Sequence, residues 1–184
     1  METMAKQILT LVSSLFLISC GGGGKHISED NYVGDFSVNE FILRDTTFIK
    51  TLSNLPNIID DTTILGIGEF IGFSNASSSE YLLLACEDGG FMHQYNYFYL
   101  TDSIPSEYID KIAILPDTVF RTTLGAYIGI SEKEFSDKYK EIDFSISQKS
   151  SNKIYEYQDT IEMYQCVYIF NQGHLKRIEF GYVW

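Results

Sequence analysis

Basic residues are scarce in this 184-residue chain: 13 Lys and Arg stand against 25 Asp and Glu, a net charge of −12. Binding to nucleic acid rests on Lys and Arg neutralising phosphates, so the balance argues against polyanion partners and against electrostatic adhesion to anionic lipid. Long apolar runs are missing too. The N-terminal stretch "ILTLVSSLFLI", residues 8–18, is too short to cross a hydrocarbon core, which takes about 20 apolar residues. Histidine is nearly absent, and His26, His93 and His174 have no second His or Cys at a ligand spacing, so no metal is expected. The glycines of "GIGEFIG" (66–72) miss the G-x-G-x-x-G spacing, and no G-x-S-x-G elbow occurs. Asp60-Asp61 and Glu87-Asp88 are adjacent carboxylates, which in a strand point to opposite faces and make no acid/base pair. No catalytic constellation and no cofactor are expected.

What is present begins with an address. Lys6, the apolar run and the small residues after it fit a secretory signal peptide over residues 1–19. Leu17-Ile18-Ser19-Cys20 resembles the lipobox of bacterial lipoproteins. The resemblance implies that the Cys20 thiol carries diacylglycerol and that Cys20 is the mature N-terminus, a lipid anchor that makes the membrane contact. Gly21, where enteric-type families place an Asp for inner-membrane retention, implies the outer membrane. Gly21 to Gly24 behave as a flexible tether, and residues 20–31 form the linker to a single globular domain over 32–184. Its halves would be 32–100 and 101–184.

After Cys20 two cysteines remain, Cys86 and Cys166, and one disulfide pairing is open to an exported chain. Each also sits in an apolar strand pattern, where a lone cysteine serves as a small buried hydrophobe. Thirteen Tyr and thirteen Phe suit strands, because flat bulky side chains pack well across a pleated surface.

Ser131 with Glu134 three residues on is a capping box, Ile130 and Phe135 form a staple, and the pattern predicts a helix over 132–141. Residues 152–159, 162–171 and 174–184 read as strands, with a tight turn at Asn171-Gln172-Gly173. In the last, Ile178, Phe180, Tyr182 and Trp184 share one face opposite Arg177 and Glu179, a sheet with one wet side. Upstream, 45–55 reads as a helix stopped by Pro56 and 105–112 as one or two helical turns. Residues 62–73, 79–88, 91–100 and 117–130 read as strands, with a hairpin at Asp88-Gly89-Gly90. The fold class expected is α+β: an antiparallel meandering sheet packed by one or two helices, with two tandem helix-plus-sheet halves as a variant. The stretch Gly129–Phe135, Tyr155-Glu156-Tyr157 and "YIFNQGHL" (168–175) resembles the SmpA/OmlA (BamE-like) and β-lactamase-inhibitor-protein-like envelope lipoproteins. That resemblance covers about 55 residues and implies a helix followed by an aromatic-rich sheet.

Phe91, Tyr95, Tyr97 and Tyr99 alternate along one stretch, giving either a sugar-stacking platform or a core-facing strand. Five triplets pair Asp with Ser or Thr at Thr46, Thr62, Ser103, Thr118 and Thr160. They resemble an O-glycosylation acceptor signal of one Gram-negative phylum, and they are also turn and cap residues. The function expected is a non-enzymatic outer-membrane lipoprotein with an envelope protein partner, the alternative being a glycan- or small-ligand-binding accessory lipoprotein.

Overall fold

In the computed structural model, residues 34–53, 56–61, 68–86 and 95–183 are described, all within the unit Tyr32–Trp184. Cys20, Thr62, Phe91 and the Asp88-Gly89-Gly90 hairpin lie outside the described residues. A small ribbon pairs β1 (Ser37–Val38) with β2 (Phe41–Ile42). The main sheet holds β3 (Ile59–Asp61), β4 (Gly68–Ser74), β5 (Tyr81–Ala85), β6 (Tyr97–Thr101), β7 (Ala113–Ile114), β8 (Ser145–Lys149), β9 (Asn152–Asp159), β10 (Tyr164–Asn171) and β11 (His174–Tyr182). The helix α1 spans Glu132–Lys138.

Strand order is β3-β4-β5-β6-β11-β10-β9-β8, antiparallel throughout, with β7 added parallel to β4. Two four-stranded meanders thus meet where β6 pairs β11, Phe98 opposite Phe180 and Leu100 opposite Ile178. That seam is tight. A Cβ on Gly181 would lie 2.2 Å from the Asn96 carbonyl oxygen and 2.7 Å from the Tyr97 Cα, so only glycine fits between the strands.

Burial follows the residue pattern of each strand. β10 alternates, with Tyr164, Cys166, Tyr168 and Phe170 buried while Gln165, Val167, Ile169 and Asn171 are half-buried, as expected of a sheet covered on one side. β5 and β6 are buried at every position, matching the apolar run Tyr81–Ala85 and the aromatic-rich Tyr97–Leu100, with polar Thr101 buried at the end of β6. One core runs through both meanders, joining Ile71, Phe73, Leu82, Leu84, Phe98 and Leu100 to Phe170, Ile178 and Phe180. Its lid is α1, the β1–β2 ribbon and the loops carrying Leu115, Phe120, Ala126 and Ile130. Phe135 of α1 stacks on Tyr139 with ring centres 4.3 Å apart and meets Tyr155, Tyr168 and Phe170 within 5.3 Å. A second, smaller core on the reverse face joins Ile59, Phe70, Leu83, Tyr97, Tyr99 and Tyr108 under the 3₁₀ segment Ser106–Lys111.

The expected α+β class is overturned. Strand makes up 43% of the described residues and helix 12%, with one helix of seven residues among them, so the fold they form is a mostly antiparallel β structure without a helical layer. Tandem helix-plus-sheet halves fail for the same reason, because the first meander has no α-helix among its described residues. The expected helix over 45–55 reduces to a 3₁₀ turn, Ile49–Thr51. Asp45 Oδ1 accepts the Thr47 N–H at 2.7 Å in the manner of an N-cap, and Lys50 N–H reaches the Thr46 carbonyl at 3.1 Å, so the segment begins as a helix does. Leu52 then turns extended, with ψ 127°. Residues 117–130 are not a strand either. The Thr122 and Ala126 backbones bond locally, Thr122 N to Ala126 O at 2.9 Å, around Gly125 at φ +88°. α1 itself stops at Lys138, three residues short of the expected end, with Tyr139 as its C-cap.

Candidate functional site

The most unusual buried group is an acid. Asp35 is fully buried, and its carboxylate collects three donors: Leu124 N–H on Oδ1 at 2.8 Å, and the Tyr139 and Tyr168 hydroxyls on Oδ2 at 2.5 and 2.6 Å. The Tyr164 hydroxyl donates to the Asp35 carbonyl, and Thr122 Oγ1 lies 3.1 Å from the Tyr139 hydroxyl. The β10 alternation aims Tyr164 and Tyr168 inward beside Cys166, and α1 delivers Tyr139 one turn after Phe135. Burial pushes the Asp35 carboxyl above its ordinary range, and the bonds from Tyr139, Tyr168 and Leu124 pull it back part of the way. Burial and the neighbouring Asp35 charge raise Tyr139 and Tyr168, and burial pushes the Cys166 thiol up to about 12. A protonated thiol and phenols with no solvent contact are poor nucleophiles and bases. The cluster fastens Asp35 to the C-cap of α1, to β10 and to the Leu124 loop.

Cys86 and Cys166 are not bonded to each other. Ala85, next to Cys86, is three strands away from Gln165, next to Cys166, through Tyr97 and Gly181. Three strand spacings are about 14 Å, twice the reach of a disulfide.

Of the expected platform, the three aromatics that are described, Tyr95, Tyr97 and Tyr99, separate. Tyr97 and Tyr99 are buried in the smaller core, whereas Tyr95 precedes β6 and packs against the larger one. Tyr108 seals the smaller core, its ring edge-on to Phe70 at 5.7 Å. Burial, with help from Asp61, pushes the Tyr108 phenol up to about 12. Of the Asp-Ser/Thr triplets, Ser103, Thr118 and Thr160 are exposed and Thr46 is half-buried. Their acids have partners: Asp159 Oδ1 accepts the nearby Ile161 N–H at 2.9 Å, while Asp117 accepts from Asn39 and Asp102 pairs with Lys176, both distant in sequence. His174 is exposed, with Nδ1 3.0 Å from the Gly129 carbonyl. Among the described residues no group of three His, Cys, Asp or Glu is placed to hold a metal, and no helix is long and apolar enough to cross a membrane.

What the topology does bring together is a surface. Among the described residues, the 3₁₀ segment covers the reverse face over β3–β6, and none covers it beyond. From β11 to β8 that face is open, in two cross-strand rows: Arg177, Ile169, Ile154, Ser147 and Glu179, Val167, Glu156, Ser145. Val167, Ile169 and Ile154 stand half-exposed in its middle. At the β6 side, Glu179 accepts from the Tyr97 hydroxyl at 3.0 Å and sits 2.6 Å from Arg177 Nε, while Gln165 donates to the same hydroxyl at 3.3 Å. The Arg177 contact is ionic, since its Nε–H makes no aligned hydrogen bond. Arg177 also lies 5.2 Å from the Tyr99 ring centre. The open face spans about 14 Å across four strands. Sequence reasoning identified its wet character at Arg177 and Glu179. It missed the Asp35 cluster, for which the only local signal is a lone acid between apolar residues in "YVGDFSV".

No family model, curated protein or solved structure matches the chain.

Proposed function

We propose that the protein is a non-catalytic lipoprotein of the bacterial outer membrane, held by lipidated Cys20, whose open sheet face binds an envelope protein. The observation that carries this reading is the half-uncovered reverse face: apolar Val167, Ile169 and Ile154 ringed by Arg177, Glu179 and Glu156. An apolar centre with a charged rim is the anatomy of a protein interface. Tyr97 and Tyr99 are covered and offer no ring face to a sugar, which favours this reading over the glycan-binding alternative. In a glycosylated form the acceptors are Thr46, Thr62, Ser103, Thr118 and Thr160, of which Ser103, Thr118 and Thr160 are exposed.

The test is site-specific photo-crosslinking in native envelopes with a benzophenone residue at position 167. The reading expects one protein adduct, strongly reduced by Ile169→Asp. Absence of an adduct, or the same adduct from a photo-residue at exposed position 133 on α1, overturns it.

A further inference from the structure

β8 is an unusual sheet edge. All five of its residues are exposed, it pairs with β9 alone, and its outer N–H and C=O groups face no strand among the described residues. The opposite edge, β3, is three residues long with Ile59 and Asp61 buried. Edges as open as β8 are templates for another strand. Beside it, between α1 and the strand, runs an open-sided groove of about 270 Å³, lined by Phe135, Tyr139, Ile142, Phe144, Ile146 and Tyr155, with Lys140 and Asp143 adding one charge of each sign. Ile146 is 55% exposed there, an isoleucine without a cover. The volume lies below that of a drug-sized ligand pocket and suits one large side chain.

We propose that the β8 edge binds an extended polypeptide segment by strand addition, seating one neutral apolar side chain in the groove beside Ile146. This deepens the protein-binding reading and rests on it, at a second surface. In a strand paired to β8, the residue opposite Ile146 projects to the same face, at the groove mouth. Backbone bonds to the edge supply affinity and the groove supplies selectivity. A second copy of the chain is the poorer occupant. A stable dimer needs about 20–30 residues a side, and the five of β8 with the nine lining the groove, Ile146 being common to both, fall short. Two copies at −12 each also repel. Residues 132–153, in contrast, carry five lysines and five acids, so this corner presents no net field to an incoming peptide.

The probe is a fluorescein-labelled seven-residue peptide of alternating threonine and apolar residues with a central phenylalanine, read by anisotropy against the full-length chain in detergent. Saturable binding is expected, weakened about tenfold or more by a central aspartate in the peptide and by Ile146→Asp. N-methylation of the peptide backbone is expected to weaken binding at every second residue and to be tolerated between. Lack of saturable binding, uniform tolerance of N-methylation, or indifference to Ile146→Asp overturns the proposal. So does a dimer in sedimentation that Ile146→Asp dissociates. Val167→Asp, on the other face, leaves peptide binding unchanged, so failure here and failure of the crosslinking test are told apart.

Discussion

Asp35 offers the sharpest test of the energetics. Asp35→Ala leaves the Tyr139 and Tyr168 hydroxyls and the Leu124 N–H without their acceptor in a closed core. Each such donor costs about 1–3 kcal/mol, and because Thr122 still faces Tyr139 the total is expected near 3–5 kcal/mol. Against a domain stability of roughly 5–15 kcal/mol this is a large fraction. Asp35→Asn keeps the shape and one acceptor oxygen, so it separates charge from volume. Burial raises the Asp35 carboxyl in the folded state, so the folded protein holds the proton more tightly than the unfolded chain. Its contribution is therefore complete below the ordinary carboxylate range near pH 4 and is lost as pH rises through the folded value. Urea titrations by far-ultraviolet circular dichroism from pH 4 to 8, on both proteins, isolate this effect. The other shifted carboxyls, Glu80 upward and Glu132 downward, are common to both and drop out of the difference. The stability of the native sequence relative to Asp35→Asn should fall with rising pH, at up to about 1.4 kcal/mol per unit inside the window. A difference that stays flat or grows with pH would refute the claim that burial outweighs the three hydrogen bonds.

Gly181→Ala drives a methyl into the Asn96 and Tyr97 backbone, and a loss of about 2 kcal/mol or more is expected in the same titration; an unchanged midpoint would mean that the β6–β11 seam gives way. Native protein treated with iodoacetamide should leave Cys166 unmodified, with its thiol pushed up to about 12, whereas denaturation exposes both Cys86 and Cys166 to alkylation. An oxidised pair in non-reducing mass spectrometry contradicts the strand order. Cys20→Ser should move the protein from the membrane fraction to the soluble one on cell fractionation, and retention in the membrane removes the anchor from the account.

Strands β9 and β10 were legible because tyrosines and aliphatics alternate with polar residues, and β11 because the Asn171-Gln172-Gly173 turn sets its start. The N-cap was equally plain, and Ser131 Oγ does accept the Glu134 N–H, at 3.2 Å. β8 was hidden by its composition. "SISQK" has one aliphatic residue, and its strand character comes from pairing with β9 rather than from burial. Of the two readings of the aromatic alternation, Tyr97 and Tyr99 fit the core-facing strand, and the period breaks before β6: Asn96 is buried, bonding the Tyr182 carbonyl and accepting its N–H, so Tyr95 joins the other core. Asp35 could not be read locally at all. Its partners lie 89 to 133 residues away, and a single acid carries no spacing from which to infer them.

The place of β11 has a consequence for how the chain acquires its shape. It follows every other strand in chain order, yet it lies between β6 and β10 at the middle of the sheet. During vectorial synthesis or translocation, both meanders must wait with an unsatisfied inner margin until this segment emerges. Joining β6 to β11 closes a separation of some eighty residues, so assembly is expected to be governed by that late, distant pairing rather than by the local hairpins.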